Sequence, residues 1–153
     1  MAKAGYTAAT GAAVALAAAT AKTVLSVVAT STFGVDLQKV RLSFDGVTAS
    51  AVPVLVELCY STFATAGTTT VGTVTQVYGR TVTAGFTTGY NYTAEPTVLT
   101  VIESFLVTPA GGTVLYDWPL GTTPDTAVNN GFCLRLTAPA IVNVRATLQF
   151  ERC

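Results

Sequence analysis

Histidine is absent from the 153 residues of this chain, and charged side chains make up only 10% of them, against about 25% in an average soluble domain. Without histidine, Ser-His-Asp and Cys-His nucleophilic sites, histidine-held metals and the commonest general base are all excluded. Eight Lys and Arg residues are balanced by eight Asp and Glu residues, which leaves no basic face for nucleic-acid phosphates. We therefore expect no enzymatic activity, no catalytic residue, no cofactor or metal, and no direct nucleic-acid binding.

The amino-terminal region has no apolar run long enough for a membrane. Its unbroken run, Ala12 to Ala19, is far below the roughly 20 residues that span a bilayer, and it imitates a secretory signal poorly. Gly5, Gly11 and interspersed threonines disfavour a helix. We expect residues 1–19 to form an extended or weakly ordered N-terminal arm, residues 20–153 to form one β domain, and the protein not to bind a membrane.

Cysteine is also scarce. Cys59, Cys133 and Cys153 are odd in number, far apart and without a C-x-x-C pair, so the spacing signals neither a disulfide framework nor a zinc site. Cys59 and Cys133 lie in apolar runs, where we expect them to pack as small hydrophobic side chains. An intermolecular bridge through the terminal Cys153 is not expected in a reducing cytoplasm.

The abundant residues are Thr, Ala and Val, and β-branched side chains favour strands. Turn signals rich in Gly, Pro, Asn and Asp separate the candidate strands. Their number and spacing predict an all-β fold, an antiparallel β-sandwich of about eight strands with jelly-roll topology. The candidate strands are Lys22–Thr30, Leu37–Asp45, Val52–Phe63, Val71–Tyr78, Gly79–Ala84, Thr97–Thr108, Thr113–Trp118, Gly131–Thr137 and Ile141–Phe150.

Three of these strands alternate apolar and polar residues with a period of two, which is typical of a sheet with one buried face. The expected inward residues are Val40, Leu42 and Phe44; Phe132, Leu134 and Leu136; and Val142, Val144, Ala146, Leu148 and Phe150. Two other stretches, "PVLVELCY" and "TVLTVIESFLV", are apolar on both faces apart from Glu57 and Glu103. Such strands are covered on both faces, by the second sheet and by a loop, an arm or a neighbouring subunit.

Glu57 and Glu103 leave two interpretations open. Facing each other across a cleft, they would resemble a glycosidase pair. The favoured alternative is that each pairs with an arginine such as Arg135 or Arg145, or points to solvent.

Aromatic residues outside the predicted core strands are the candidate partner-binding residues, because Tyr and Trp are favoured at interfaces. They can stack on sugars or anchor a protein, although Trp118 can equally cap the end of the sandwich. The candidates are Tyr6 in the arm, Phe86, Tyr90 and Tyr92 in one long loop, and Trp118 beside Pro119.

The second half of the chain resembles small jelly-roll virion proteins of tailed bacteriophages, particularly capsid decoration or cement proteins. The resemblance is one of pattern, covers about two thirds of the chain and contains no diagnostic motif. It departs from the family in the Ala-rich arm and in the single Trp before Pro119. The segments that carry it are "EPTVLTVIESFLV", "LYDWPLGTTP" and "NNGFCLRLTAPAIVNVRATLQFER", with looser agreement in "TAKTVLSVVATS" and "VDLQKVRLSFDG".

This resemblance implies a homotrimer that binds the outside of the major capsid protein lattice at three-fold or quasi-three-fold positions and stabilises the shell. The protein would be made in the host cytoplasm and located on the capsid exterior of the virion. The alternative hypothesis is a carbohydrate-binding, lectin-like β-sandwich module of a virion fibre or tail, which would use Tyr90, Tyr92 and Trp118 as stacking platforms.

Overall fold

The computed structural model describes residues 4–45, 52–119 and 121–153, and the regular structure in them is β apart from one short 3-10 helix, Pro109–Gly111. Period-two alternation and β-branched residues produce this outcome, and the prediction of an all-β antiparallel sandwich is confirmed. The jelly-roll topology stays a prediction. The strands are β1 (Gly5–Ala9), β2 (Val14–Leu16), β3 (Ala21–Val28), β4 (Val35–Asp45), β5 (Val54–Ser61), β6 (Thr68–Val71), β7 (Val74–Tyr78), β8 (Thr87–Ala94), β9 (Leu99–Val107), β10 (Thr113–Asp117), β11 (Gly131–Thr137) and β12 (Val142–Arg152).

The strands form two six-stranded sheets that pack face to face. Sheet I has the order β10-β4-β12-β1-β7, and β2 also pairs with β12. Sheet II has the order β6-β8-β3-β11-β5-β9. All the strand pairings are antiparallel. Consecutive strands β6 and β7 link the sheets along one side of the sandwich, and β9 and β10 link them along the other.

One hydrophobic core lies between the sheets, and the alternating strands supply it as their sequences predict. Leu42 and Leu148 contribute from sheet I, and Leu58 and Leu134 from sheet II. The predicted inward residues of β4, β11 and β12 all lie in or against this core. Removing such side chains from water is the main stabilising term, worth roughly 1.5–3 kcal/mol for each fully buried leucine.

The amino-terminal segment is not an arm, and that prediction is wrong for its described residues. β1 lies between β12 and β7, and β2 continues along β12 from Val14 to Leu16. Thr10 bridges the gap, because its amide donates to the Ala146 carbonyl at 3.0 Å and its hydroxyl accepts from the Ala146 amide at 3.2 Å. The segment therefore completes sheet I, and the sandwich domain begins before residue 20.

Two strand predictions and one loop prediction in the middle of the chain also need correction. The predicted strand Val71–Tyr78 is two strands in different sheets, separated at Gly72, whose amide donates to the Thr88 carbonyl at 2.9 Å. The predicted strand Gly79–Ala84 is irregular, because the Gln76 side chain bonds the backbone of Arg80 and Val82. The expected long loop instead contains β8, which pairs with β3 and β6.

Candidate functional site

Of the five candidate contact aromatics, Tyr6 and Phe86 belong to the core. Their ring centroids are 5.7 Å apart, and each also packs on Phe150, at 6.0 Å and 5.2 Å. Tyr6 is fully buried, and its hydroxyl donates to the Val82 carbonyl at 3.3 Å. The expectation that these rings are exposed is wrong, because the residues around them form part of the sandwich.

Tyr92 is buried as well, on the outer face of sheet II. Its hydroxyl lies 2.7 Å from the hydroxyl of Ser26, which is fully buried. Burial raises the pKa of Tyr92, so the hydroxyl stays protonated and can take part in this hydrogen bond. Tyr92 is therefore a covering residue of sheet II, not an exposed stacking platform.

Tyr90 and Trp118 are half-buried and lie on opposite sides of the sandwich. Tyr90 lines a groove of about 270 Å³ between the end of β1 and the β6–β7 turn, together with Thr73 and Thr75. The Trp118 ring packs edge-on against Tyr116 with centroids 4.8 Å apart, and Tyr116 stacks on Phe105 at 5.5 Å. The five sequence candidates therefore do not form one site.

The Phe105–Tyr116 stack joins edge strands β9 and β10 of the two sheets, and the surface beside it is apolar. We call the exposed apolar residues of this region the β9–β10 side. Leu106, the most exposed of them, retains 66% of its side-chain surface. No described loop or arm covers the exposed face of β9, and cover by a neighbouring subunit stays a prediction. The β9–β10 side consists of Val98, Val101, Ile102, Leu106 and Leu115.

Strand β9 has little of the protection that edge strands usually carry. Glu103 is its one charged residue, and it contains no lysine and no proline. A bulge at Ile102 interrupts its register with β5. Between Ser104 and Val107 the register with β5 is regular, and the other edge of β9 has no partner among the described strands.

The two glutamates do not form a catalytic pair. Glu57 bonds Arg135 at 2.9 Å, which confirms the predicted arginine pairing. In the β5–β9 ladder Glu57 is opposite Ser104, and Glu103 is opposite the core residue Leu58, so the two carboxylates lie on different faces of sheet II. Glu103 instead lies on the same side of β9 as Tyr116 of β10, and the pKa of Tyr116 is raised by desolvation and by this carboxylate.

The largest groove we describe, about 450 Å³, lies between β2, β3 and β8. Its charged groups are already engaged. Lys22 donates to the Ala15 carbonyl at 3.3 Å, and a carboxylate oxygen of Glu95 accepts from the Thr23 amide at 2.8 Å.

The described residues contain no cluster of three or more His, Cys, Asp or Glu side chains able to hold a metal ion. In the same part of the chain, no helix has the length and apolar character to cross a membrane. Comparison with protein-family models, curated proteins and solved structures gave no match. Fold and surface therefore define an antiparallel β-sandwich protein with exposed apolar residues on its β9–β10 side.

Proposed function

We propose that this chain is a virion structural protein, a capsid decoration protein that binds the outside of the major capsid protein lattice as a homotrimer. The observation that carries the proposal is the apolar β9–β10 side. Exposed large apolar side chains beside an edge strand favour contact with another chain, and an unprotected edge strand invites pairing. The resemblance in sequence pattern to capsid decoration proteins is the reason for proposing a capsid as the binding partner.

The β9–β10 side suits self-association through side chains. The register points Leu106 to the outer face of sheet II and Leu115 to the outer face of sheet I, so a partner that covers both must wrap around this edge of the sandwich. The bulge at Ile102 opposes continuation of the ladder over the full length of β9. A closed trimer built on side-chain packing agrees with both features.

The test combines oligomeric state and capsid binding. Light scattering with size exclusion should give a trimer for the wild-type protein and a monomer for Leu106→Asp, because a buried carboxylate opposes association. Ile141→Asp is the matched control, since Ile141 is 73% exposed but lies outside the β9–β10 side. It should remain trimeric.

Co-sedimentation with capsids assembled from the major capsid protein of the same genome tests the second step. The wild-type protein and Ile141→Asp should sediment with the capsids, and Leu106→Asp should bind more weakly because avidity is lost. A wild-type protein that is monomeric at high concentration and does not bind these capsids would sink the proposal.

The carbohydrate-binding alternative keeps one supporting observation, the groove beside Tyr90 with its threonine hydroxyls. Tyr92 no longer supports it because its ring is buried, and the Trp118 ring packs against Tyr116. Calorimetry against a glycan panel tests it. Heat that disappears in Tyr90→Ala would favour the alternative, and absence of heat with every glycan would exclude these sugars as ligands.

A further inference from the structure

Cys59 in β5 and Cys133 in β11 are direct partners across an antiparallel strand pair. Such partners have Cα atoms about 4.5 or 5.5 Å apart, and both values fall in the range of roughly 4.4–6.8 Å found in disulfides. Their strand neighbours Leu58 and Leu134 point into the core, so both cysteines point to the outer face of sheet II. The register therefore places the two thiols side by side.

The connection from β8 to β9 crosses this outer face. At one end Glu95 accepts hydrogen bonds from the amide and the hydroxyl of Thr23 in β3. At the other end the Ser61 hydroxyl of β5 donates to the Thr97 carbonyl at 3.2 Å. In the sheet register, the path from Thr23 to Ser61 passes over Cys133 in the intervening strand. Both thiols are fully buried although they lie outside the core.

Burial makes the thiols unreactive while the crossing segment is closed. Desolvation raises the pKa of Cys59 to about 11, and it raises the pKa of Cys133 above its ordinary value as well. Both side chains are therefore protonated at neutral pH, and the thiolate is the reactive form. Oxidation requires the outer face to open briefly.

The opening has a defined place. Cys59 is paired on its other side with Val101 of edge strand β9, next to the bulge at Ile102. Edge strands open at lower free energy than central strands. A small oxidant therefore reaches Cys59 before Cys133, which lies between β3 and β5.

We propose that Cys59 and Cys133 are an oxidation site at which a peroxide forms a disulfide across the β5–β11 pair. The Cys59 thiolate attacks a peroxide oxygen, the O–O bond breaks, and the leaving hydroxide takes up the thiol proton to form water. Cys59 is then a sulfenic acid. The Cys133 sulfur attacks the Cys59 sulfur, the S–S bond forms, the S–O bond breaks, and the oxygen leaves as a second water with the Cys133 proton. Two thiols are oxidised and one hydrogen peroxide is reduced to two waters.

The experiment uses the full chain with Cys153→Ser, which removes the exposed third thiol. After treatment of the folded protein with hydrogen peroxide, the intact mass should fall by about 2 Da, and no thiol should be alkylated after unfolding. A disulfide-linked peptide pair should contain Cys59 and Cys133. Because the bridge closes a long loop at a compatible register, the melting temperature should rise by roughly 5–15 °C, and reduction in denaturant should reverse the gain.

The matched control is Cys59→Ala with Cys153→Ser. It should show no 2 Da loss, and its remaining thiol should stay reduced or gain oxygen.

A second arm repeats the oxidation of the Cys153→Ser chain in urea below the unfolding transition, where local opening is more frequent. Formation of the bridge there would support the proposal. Free thiols or sulfinic acids in both arms, or a bridged protein that melts at a lower temperature, would overturn it. The result does not depend on whether the chain binds a capsid.

Discussion

The outer faces of the two sheets differ sharply although their inner faces share one core. On sheet I two ion pairs lie in water, Lys39 with Asp117 at 3.5 Å and Arg145 with Asp45 at 3.9 Å. Sheet II has a buried outer face that contains Thr23, Ser26, Ser61, Cys59 and Cys133.

The crossing segment between β8 and β9 accounts for the difference. It closes the outer face of sheet II, whereas no comparable segment bonds across the described outer face of sheet I. Exposed apolar residues remain at this edge of the sandwich, on the β9–β10 side. Whether an outer face is buried therefore depends on where a connecting segment crosses it. The edge formed by β9 and β10 is the surface on which we expect a partner to bind.

The inner faces should be energetically equivalent, and this is the largest effect we expect. Leu134→Ala in sheet II and Leu148→Ala in sheet I each remove a fully buried side chain from the common core. Each should lower the free energy of unfolding by about 3 kcal/mol through lost burial and a cavity. Urea denaturation measures both, and a difference of more than about 2 kcal/mol between them would show that the core is unevenly shared.

Glu95→Ala should open the outer face of sheet II. The change leaves the Thr23 amide and hydroxyl without their acceptor, which should cost about 2 kcal/mol of unfolding free energy. Glu95→Gln keeps an acceptor oxygen and should lose less. In a Cys153→Ser background, a thiol reagent should label the folded Glu95→Ala chain fastest, the Glu95→Gln chain more slowly, and the chain with Glu95 slowest. Unchanged stability and labelling in Glu95→Ala would contradict the covering role.

Alkaline pH should weaken sheet II first. The pKa of Cys59 rises from its ordinary 9.0 to about 11 through burial, so above pH 9 the unfolded chain releases a proton that the folded chain retains. The contribution of Cys59 to the free energy of unfolding is complete below pH 9 and should fall by about 2 kcal/mol as pH rises to 11, and the raised pKa of Cys133 adds to the loss in the same direction. Unfolding free energies measured at pH 8, 9, 10 and 11 check this, and Cys59→Ala with Cys133→Ala should flatten the profile in this window.

A second loss of stability, at higher pH, should remain in the variant that carries both Cys59→Ala and Cys133→Ala. Burial, followed by the hydrogen bond to Glu151, raises the pKa of Tyr78 from 10.0 to about 12. The contribution of Tyr78 to the free energy of unfolding is complete below pH 10 and falls between pH 10 and 12. Tyr78→Phe should therefore remove the pH dependence of stability in that range. An unchanged slope between pH 9 and 10 in the double cysteine variant would contradict the assignment to the thiols.

The outer face of sheet I should give the smallest effect. Asp117→Ala removes the carboxylate from an exposed ion pair with Lys39, and the unfolding free energy should change by less than about 0.5 kcal/mol. The change should shrink further in high salt because exposed charges are screened. A loss as large as that of Glu95→Ala would abolish the contrast between the two outer faces.

Strands with strong alternation were predictable from the sequence, and weakly apolar strands were not. β4, β11 and β12 carry apolar, mostly large side chains at alternating positions. β1 buries Tyr6 and Ala8 with the same period, but alanine and glycine give a faint hydrophobic signal. β8 was missed for a related reason, because Gly89 and Asn91 are turn-forming residues.

The candidate surface was only partly predictable. The apolar residues of β9 were visible in the sequence, but their exposure follows from the position of β9 at the end of sheet II. The aromatic candidates failed for the opposite reason, since Tyr6 and Phe86 are covered by residues remote in the chain.

The period-two pattern alone determined that this chain forms β-strands and which sides of the strong strands enter a core, because side-chain direction alternates locally along a strand. Tertiary structure decided which strand lies at an edge, which outer face is covered, and that Cys59 meets Cys133. These features depend on pairing between residues far apart in sequence, and the local pattern contains no record of which distant strand is the neighbour.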